Sequence, residues 1–393
     1  MAPVCRGNSF RRLAGMRPEM PEILHANIGK PTSRKVMTRL SERNVCGFTR
    51  GARKLVQWSR GAAAVAAFFV VAASEGKAAE SSSPVPNREL QLFIDSMAEK
   101  HGFDAASLEG LFNQAKFQPR IIDAMTKAAK RKGWDDYRLL FVNADHVQRG
   151  VRFWNENAEM LVKARESYGV PEELVTAIIG IETHYGRNTG RFRVLDALTT
   201  LAFQYPPRAD TFRAELEQFL LLTREEEIGP LDARGSYAGA MGIAQFMPGS
   251  YRYFAVDFDG DGRRDLFRNT ADAIGSVANY LNRHGWRAGE RTVIRARVAG
   301  EHYLPYANSG LELNYLVAQW KWLGVTPTED LLGSEAAILF SLTRPDGPEY
   351  WLGLNNFYVI TRYNRSAYYA MAVHELGREI RSLREQQRSA TAP

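Results

Sequence analysis

Residues 171–187, PEELVTAIIGIETHYGR, constrain the fold more than any other stretch of this chain. Pro171 suits a first helical position, where its missing N–H is not needed, and Glu172 and Glu173 follow in the first turn, where the helix dipole favours negative charge. At about 100° per residue, Leu174, Val175, Ile178, Ile181 and Tyr185 share one apolar arc, and Glu182 falls inside it at about 80°. A glutamate there must be hydrogen-bonded, paired with a cation, or held protonated near neutral pH, because desolvation disfavours its charged form. Protonated in a cleft, it is a general acid. Tied to an arginine or to backbone amides, it is a structural residue, and periodicity leaves both readings open.

The chain has 393 residues and a net charge of +7, which would invite a nucleic-acid reading if the charge were spread evenly. It is not. Residues 1–78 hold 14 of the 51 basic and 4 of the 44 acidic residues, so this leader carries +10 and the remainder −3. The leader ends in a basic approach (Arg50, Arg53, Lys54, Arg60) and a run of small and apolar residues from Gly61 to Ala73. That is the layout of a secretory signal peptide cleaved after Ala73 or Ala78, and the run is short for a bilayer span, which needs about 20 apolar residues. An uncleaved membrane anchor is the alternative. Cys5 and Cys46 both precede the cut. The exported protein then has no disulfide, thiol nucleophile, cysteine zinc site or cysteine for a lipid anchor, and a periplasmic location is expected.

After a linker at 79–86, helical spacing marks Glu89 to Lys100, Ala105 to Ala115, and one long helix from Ala144 to Tyr168, within a helical domain at 87–168. Residues 169–288 follow as a core, with further helices at Val194 to Leu201 and Phe212 to Leu222 separated by the turn Tyr205 to Arg208. Residues 289–354 read as a small β-rich domain, with strands at Thr292–Val298, Ala336–Leu342 and Tyr350–Leu354 and a helix at Leu311–Leu323. Residues 355–385 return to the core through a closing helix, Tyr368 to Leu383, and 386–393 form a tail.

Two stretches of the core carry unusual composition. GSYAGAMGIAQFMPGSY, from Gly235 to Tyr251, is nearly free of bulk, so that either a ligand or a packed helix could approach its backbone, and Gln245 is its single amide. In DFDGDGRRD, Asp257, Asp259, Asp261 and Asp265 occupy positions 1, 3, 5 and 9 of an EF-hand-like loop, with Gly262 at 6 and Arg263 at the backbone-ligand position 7. Arg268 stands where that motif needs a bidentate Glu, so Asp272 is the substitute ligand, in a helix capped by Thr270. Four acids without a cation repel one another, which favours one structural Ca²⁺ in loop 257–272 over an empty turn.

Taken together, GIETHYGRNTG, SYAGAMGIAQFMPGSY, the acid loop running into DAIGSVANYLNRHGW, and FYVITRYNRSAYYAMAVHELG resemble the membrane-bound lytic murein transglycosylase B family, in the same order. The resemblance implies a mainly α (α+β) protein: a lysozyme-like core with an EF-hand-like calcium loop, a helical domain and a small β domain. It implies Glu182 as the catalytic acid and base, and a glycan cleft lined by Ser236, Gln245, Tyr363, Asn364 and Arg208. Many relatives have two arginines where this chain has Pro207-Arg208. The implied partner is peptidoglycan glycan, with cell-wall synthesis or division proteins as further candidates, no nucleic acid, no organic cofactor, and a monomeric state.

The chemistry agrees. Ordinary glycosidases need two carboxylates at a fixed separation, and Asp196, Asp210, Glu215 and Asp232 all have plain helical or turn readings. One glutamate suffices if the substrate supplies the nucleophile, through the C6 hydroxyl of N-acetylmuramic acid closing a 1,6-anhydro ring. The alternatives are a hydrolytic muramidase and a non-catalytic murein-binding module. Rossmann, P-loop, HExxH and G-x-S-x-G signatures are absent, and His184 reads as an ordinary surface or packing residue.

Overall fold

The structure is a computed structural model and describes residues 87–127 and 133–391. The leader, its two cleavage sites and the linker lie outside the described residues. Among the described residues, no helix is long and apolar enough to cross a membrane.

Six helices open the described chain: α1 (Asn87–His101), α2 (Ala105–Phe112), α3 (Pro119–Lys127), α4 (Trp134–Phe141), α5 (Ala144–Glu156) and α6 (Ala158–Tyr168). The single helix expected from Ala144 to Tyr168 is therefore two. Asn157 (φ −119°, ψ 25°) leaves the helical region, and its Nδ2 donates to the Phe153 carbonyl, so a side chain that competes with the backbone ladder breaks the run. Neither α3 nor α4 was expected.

Next come α7 (Glu172–Thr183), β1 (Phe192–Arg193), α8 (Val194–Gln204), α9 (Ala209–Glu225), β2 (Arg234–Gly235), α10 (Pro248–Phe254) and α11 (Thr270–Arg283). Tyr205 to Arg208 is a turn as expected, its last three residues forming a 3₁₀ turn. Asn269, and not Thr270, caps α11, its Oδ1 accepting from Ala271 N and Asp272 N. From Ser236 to Met247 the low-bulk segment forms no helix of its own, but it is pressed onto one: a Cβ at Gly239 would lie 2.5 Å from Leu198 and one at Gly235 3.1 Å from Val194, both in α8, so close packing against a helix accounts for part of its composition.

The chain then forms β3 (Val293–Val298), β4 (Tyr315–Leu316), α12 (Val317–Trp322), β5 (Val325–Pro327), β6 (Ala336–Arg344) and β7 (Gly347–Gly353). These strands build one antiparallel sheet in the order β4-β6-β7-β3-β5. The helix expected over Leu311–Leu323 shrinks to Val317–Trp322, because Tyr315 and Leu316 pair with Ala337 and Ala336 instead. Alternation sends Ile338, Phe340 and Leu342 of β6 into the core shared with the helices, while Ala337 and Leu339 face a second core around Val317, Trp320 and Leu352. The sheet is thus apolar on both faces.

Finally α13 (Asn355–Tyr363) and α14 (Ala367–Thr391) return to the helices. α14 runs through residues expected to form a tail. Buried Asn356 clamps the points where the chain leaves and re-enters: its Oδ1 accepts from Arg287 N, and its Nδ2 donates to the carbonyls of Arg287 and Glu290. One apolar core runs from Phe93 in α1 through α7, α8, α9 and α11 to Ile380 in α14.

Candidate active site

The helix α7 is buried all round. Every residue from Leu174 to Thr183 is enclosed, with α5, α6, α11 and α14 packed about it. The apolar arc is therefore not what places Glu182 inside; the whole helix is interior. The expected helix also stops early. His184 (φ 50°) and Tyr185 (φ 62°) both turn left-handed, and the Tyr185 ring folds back so that its O–H donates to the His146 carbonyl at 2.8 Å. A Cβ at Gly180 would lie 2.7 Å from that ring, so this glycine is what admits it.

Glu182 sits in the last turn and is only 1% exposed. Its Oε1 accepts a 2.7 Å hydrogen bond from the Tyr369 hydroxyl, and its Oε2 has no partner. Burial pushes the carboxyl up to about 8, and the Tyr369 O–H, which favours the charged form, offsets only part of that rise. Among the described residues no arginine or lysine pairs with it and no second carboxylate shifts it. Asp196 is tied to Arg193, Asp210 to Arg213, and Glu215 accepts from Gly249 N. The surroundings are phenolic instead. Burial and then the Glu182 charge hold Tyr363 and Tyr369 well above the usual tyrosine range, and the same two causes raise Tyr137.

The low-bulk segment is tied to the end of α7. The Thr183 hydroxyl lies 3.0 Å from the Ile243 carbonyl and 3.1 Å from that of Ile179, and it accepts from Gly186 N. Met241 and Phe246 exchange both backbone hydrogen bonds, which makes a tight loop with positive φ at Gly242 and Gln245, and Gly239, also at positive φ, ends the turn from Ser236 just before it. Gln245 is 5% exposed, and its Nε2 donates to the carbonyls of Thr189 and Gly242. Both amide protons are thereby used, and Oε1 is left without a donor. Ser236 Oγ accepts from Ala238 N and Ala240 N and so holds its own turn.

Tyr363 closes the group from the return helix. Its O–H donates to the Ala244 carbonyl at 2.5 Å, and its ring lies 6.4 Å from that of Tyr369, nearly parallel. Asn364, buried, follows at the end of α13. The structure thus gathers Glu182, Gln245 and Tyr363 around the loop that begins at Ser236. Arg208, half-buried with its guanidinium over the Phe212 ring, lies in the field of Glu215, which binds Gly249 N; this puts it at the Pro248 end of the segment. Tyr369 was not among the expected site residues. Its partner is 187 positions away, and nothing local marks it.

In the acid loop, Asp257, Asp259 and Asp272 present oxygens within 4.8 Å of one another. Asp272 is buried and accepts from Phe258 N and Asp265 N; burial, and then the charges of Asp259 and Asp257, raise its carboxyl. Three converging hard oxygen donors fit a divalent cation such as Ca²⁺, although Asp257 also accepts from Gly260 N, Asp261 N and Gly262 N, and Asp259 from Asp261 N and Asn269 Nδ2. Asp261 and Asp265 serve turns, accepting from Arg263 N and from Phe267 N and Arg268 N.

Residues 86–378 match the family model described as the Transglycosylase SLT domain. The chain is 44% identical over 310 residues to membrane-bound lytic murein transglycosylase B of Escherichia coli strain K12, covering 76% of this chain and 84% of that one. It superposes on the Escherichia coli lytic transglycosylase Slt35, solved in complex with calcium, with a TM-score of 0.70 and 45% identity, over 76% of this chain and 94% of that one. It also superposes on SltB3 from Pseudomonas aeruginosa, solved with NAG-anhNAM-pentapeptide, with a TM-score of 0.64 and 29% identity, over 75% and 79%.

Proposed function

Because the chain belongs to the SLT transglycosylases and is a lytic murein transglycosylase, we propose that Glu182 alone supplies both acid and base for cleavage of the β-1,4 bond between N-acetylmuramic acid and N-acetylglucosamine. The observation that carries this is the state of its carboxyl: buried, pushed up to about 8, with one oxygen held by Tyr369 and the other unpartnered.

Near neutral pH Glu182 holds its proton and gives it to the glycosidic oxygen as the bond to C1 breaks and the N-acetylglucosamine O4 leaves as a hydroxyl. The carboxylate so formed takes the proton from the C6 hydroxyl of the same muramic acid, whose oxygen closes on C1. A 1,6-anhydro ring results, and Glu182 is again protonated. The Tyr369 hydroxyl stabilises the carboxylate in the interval, because a hydrogen bond to a charged acceptor is about twice as strong as a neutral one. Gln245 offers the sugar an acceptor and no donor, so it selects an N–H or O–H of the substrate. Ser236, Tyr363, Asn364 and Arg208 line the rest of the path. Asp257, Asp259 and Asp272 hold one structural Ca²⁺, and the protein works in the periplasm after export by its leader.

The test is mass analysis of products from purified murein. Wild type should release anhydromuropeptides and Glu182→Gln none. Products heavier by one water, or normal release by the variant, would overturn the reading.

A further inference from the structure

A cavity at the start of α7 is lined by charge that the fold leaves partly unused. It measures about 260 Å³ and lies between the first turn of α7, the chain entering β3, and α14. Drug-sized ligands occupy about 300–1,000 Å³, so this space suits a smaller guest. It stands apart from the catalytic group. Glu173 lines it, and Glu182 follows in the last turn of the same helix, about 14 Å along the axis at about 1.5 Å per residue.

Most of the lining charges are matched. Glu290 faces Arg287 at 3.5 Å, Arg291 is held by Glu329 and by the Asp330 carbonyl, and Arg381 meets Glu173 Oε1 at 2.8 Å. Two groups are left over. Glu173 Oε2 is buried without a donor, and Arg378, exposed, makes no ion pair among the described residues. They arise from neighbouring points, since a Cβ at Gly377 would lie 3.5 Å from the Glu173 Cγ and Arg378 is the next residue. His374, one turn earlier on α14, also lines the cavity and makes no hydrogen bond among the described residues. Burial, and then the Arg378 charge, push its imidazole down to about 4, so near neutral pH the ring is uncharged and offers one donor and one acceptor.

A buried acceptor without a donor is destabilising, and an unpaired guanidinium is a ready carboxylate site. Because the two do not meet at ion-pair distance, a guest can bridge them. Ammonium and carboxylate groups carried on one carbon do so, and buried Leu174 and half-exposed-to-buried Val293 give a small apolar side chain a floor. We propose that this cavity binds a free α-amino acid, its ammonium group donating to Glu173 and its carboxylate accepting from Arg378. Such a ligand ties the first turn of α7 to α14 and to the strand entry at Val293.

The test is calorimetric titration of the full exported chain with L-alanine and, separately, D-alanine near neutral pH. One or both should bind saturably with Kd on the order of 1 mM, the scale of a ligand of about six non-hydrogen atoms held by charge. Acetate and ethylamine, with one charge each, and alanine binding to R378Q or E173Q should all be about tenfold weaker, the scale of one hydrogen bond to a charged group. E173Q also loses its pairing with Arg381, so R378Q with an unaltered circular dichroism spectrum carries the test if E173Q fails to fold. The proposal is overturned by no saturable heat up to about a hundred times the expected Kd, by acetate or ethylamine binding as tightly as alanine, or by undiminished affinity in R378Q. The readout needs no cleavage, so it stands or falls separately from the reading of Glu182.

Discussion

Replacing Glu182 by glutamine should stabilise the protein as it abolishes activity, and the gain should grow with pH. An acid whose folded pKa lies above its unfolded value carries no penalty while both states are protonated. The penalty sets in as the unfolded chain ionises near 4.5, increases until the folded group ionises near 8, and stays constant above that. Over that span of 3.5 pH units, at about 1.36 kcal/mol each, the full penalty is about 5 kcal/mol. Glutamine never ionises and so escapes it. Its amide still offers Tyr369 an acceptor but brings N–H donors into a site without matching acceptors, a cost of about 1–3 kcal/mol that does not vary with pH. The pH-dependent part therefore stands clear of the constant part. In a protein of this size about 1 kcal/mol moves Tm by roughly 2 °C, so the difference in Tm between Glu182→Gln and wild type should increase by about 10 °C from pH 4.5 to pH 8. Scanning calorimetry of the two proteins at both pH values reads it directly, since all other titrating groups are common to both. A Tm difference that stays level across this range would refute the claim that the carboxyl is held protonated by burial.

Three further outcomes follow from the same geometry. Tyr369→Phe removes a donor that favours the charged carboxylate, so the fall of activity at high pH should move upward by about 1–2 pH units while kcat decreases; a pH–rate profile with an unmoved limb would count against the hydrogen bond at 2.7 Å. Ca²⁺ at about a thousand times its Kd should stabilise the wild type by about 4 kcal/mol, and Asp259→Asn, at an exposed position, should remove that response while leaving the calcium-free Tm nearly unchanged. Gly190→Ala places a methyl against the Gly235 carbonyl at a positive φ, and denaturant titration should show a loss of about 3 kcal/mol.

Much of this was legible from residues alone, for stated reasons. The helix α7, the strands β3 and β6, and the start of α14 follow from periodicity, because each is long enough or alternates clearly enough to declare itself. Local competition hid the break at Asn157, where a side chain caps the Phe153 carbonyl, and the shortened α12, where strand pairing by Tyr315 and Leu316 prevailed over helical spacing. Glu182 was identifiable as an interior carboxylate, yet not for the reason its spacing gave, since its helix is enclosed on every side. Tyr369 could not be found, because a hydrogen bond across 187 residues leaves no mark on spacing. Gln245 stood out as the single amide of its segment; only its partners, the carbonyls of Thr189 and Gly242, show that its donors are already taken.

The order in which the site's parts occur along the chain has a consequence for when the protein can act. Glu182 is made early, whereas Tyr363 and Tyr369 arrive only after the five-stranded sheet has been laid down and Asn356 has joined its two ends. A nascent or truncated polypeptide ending before Leu354 owns Glu182 and Tyr137 but lacks Tyr369, whose hydroxyl binds the Glu182 carboxyl. On the proposed function such a fragment would leave a wall uncut, and the capacity to cut would be withheld until synthesis is all but finished.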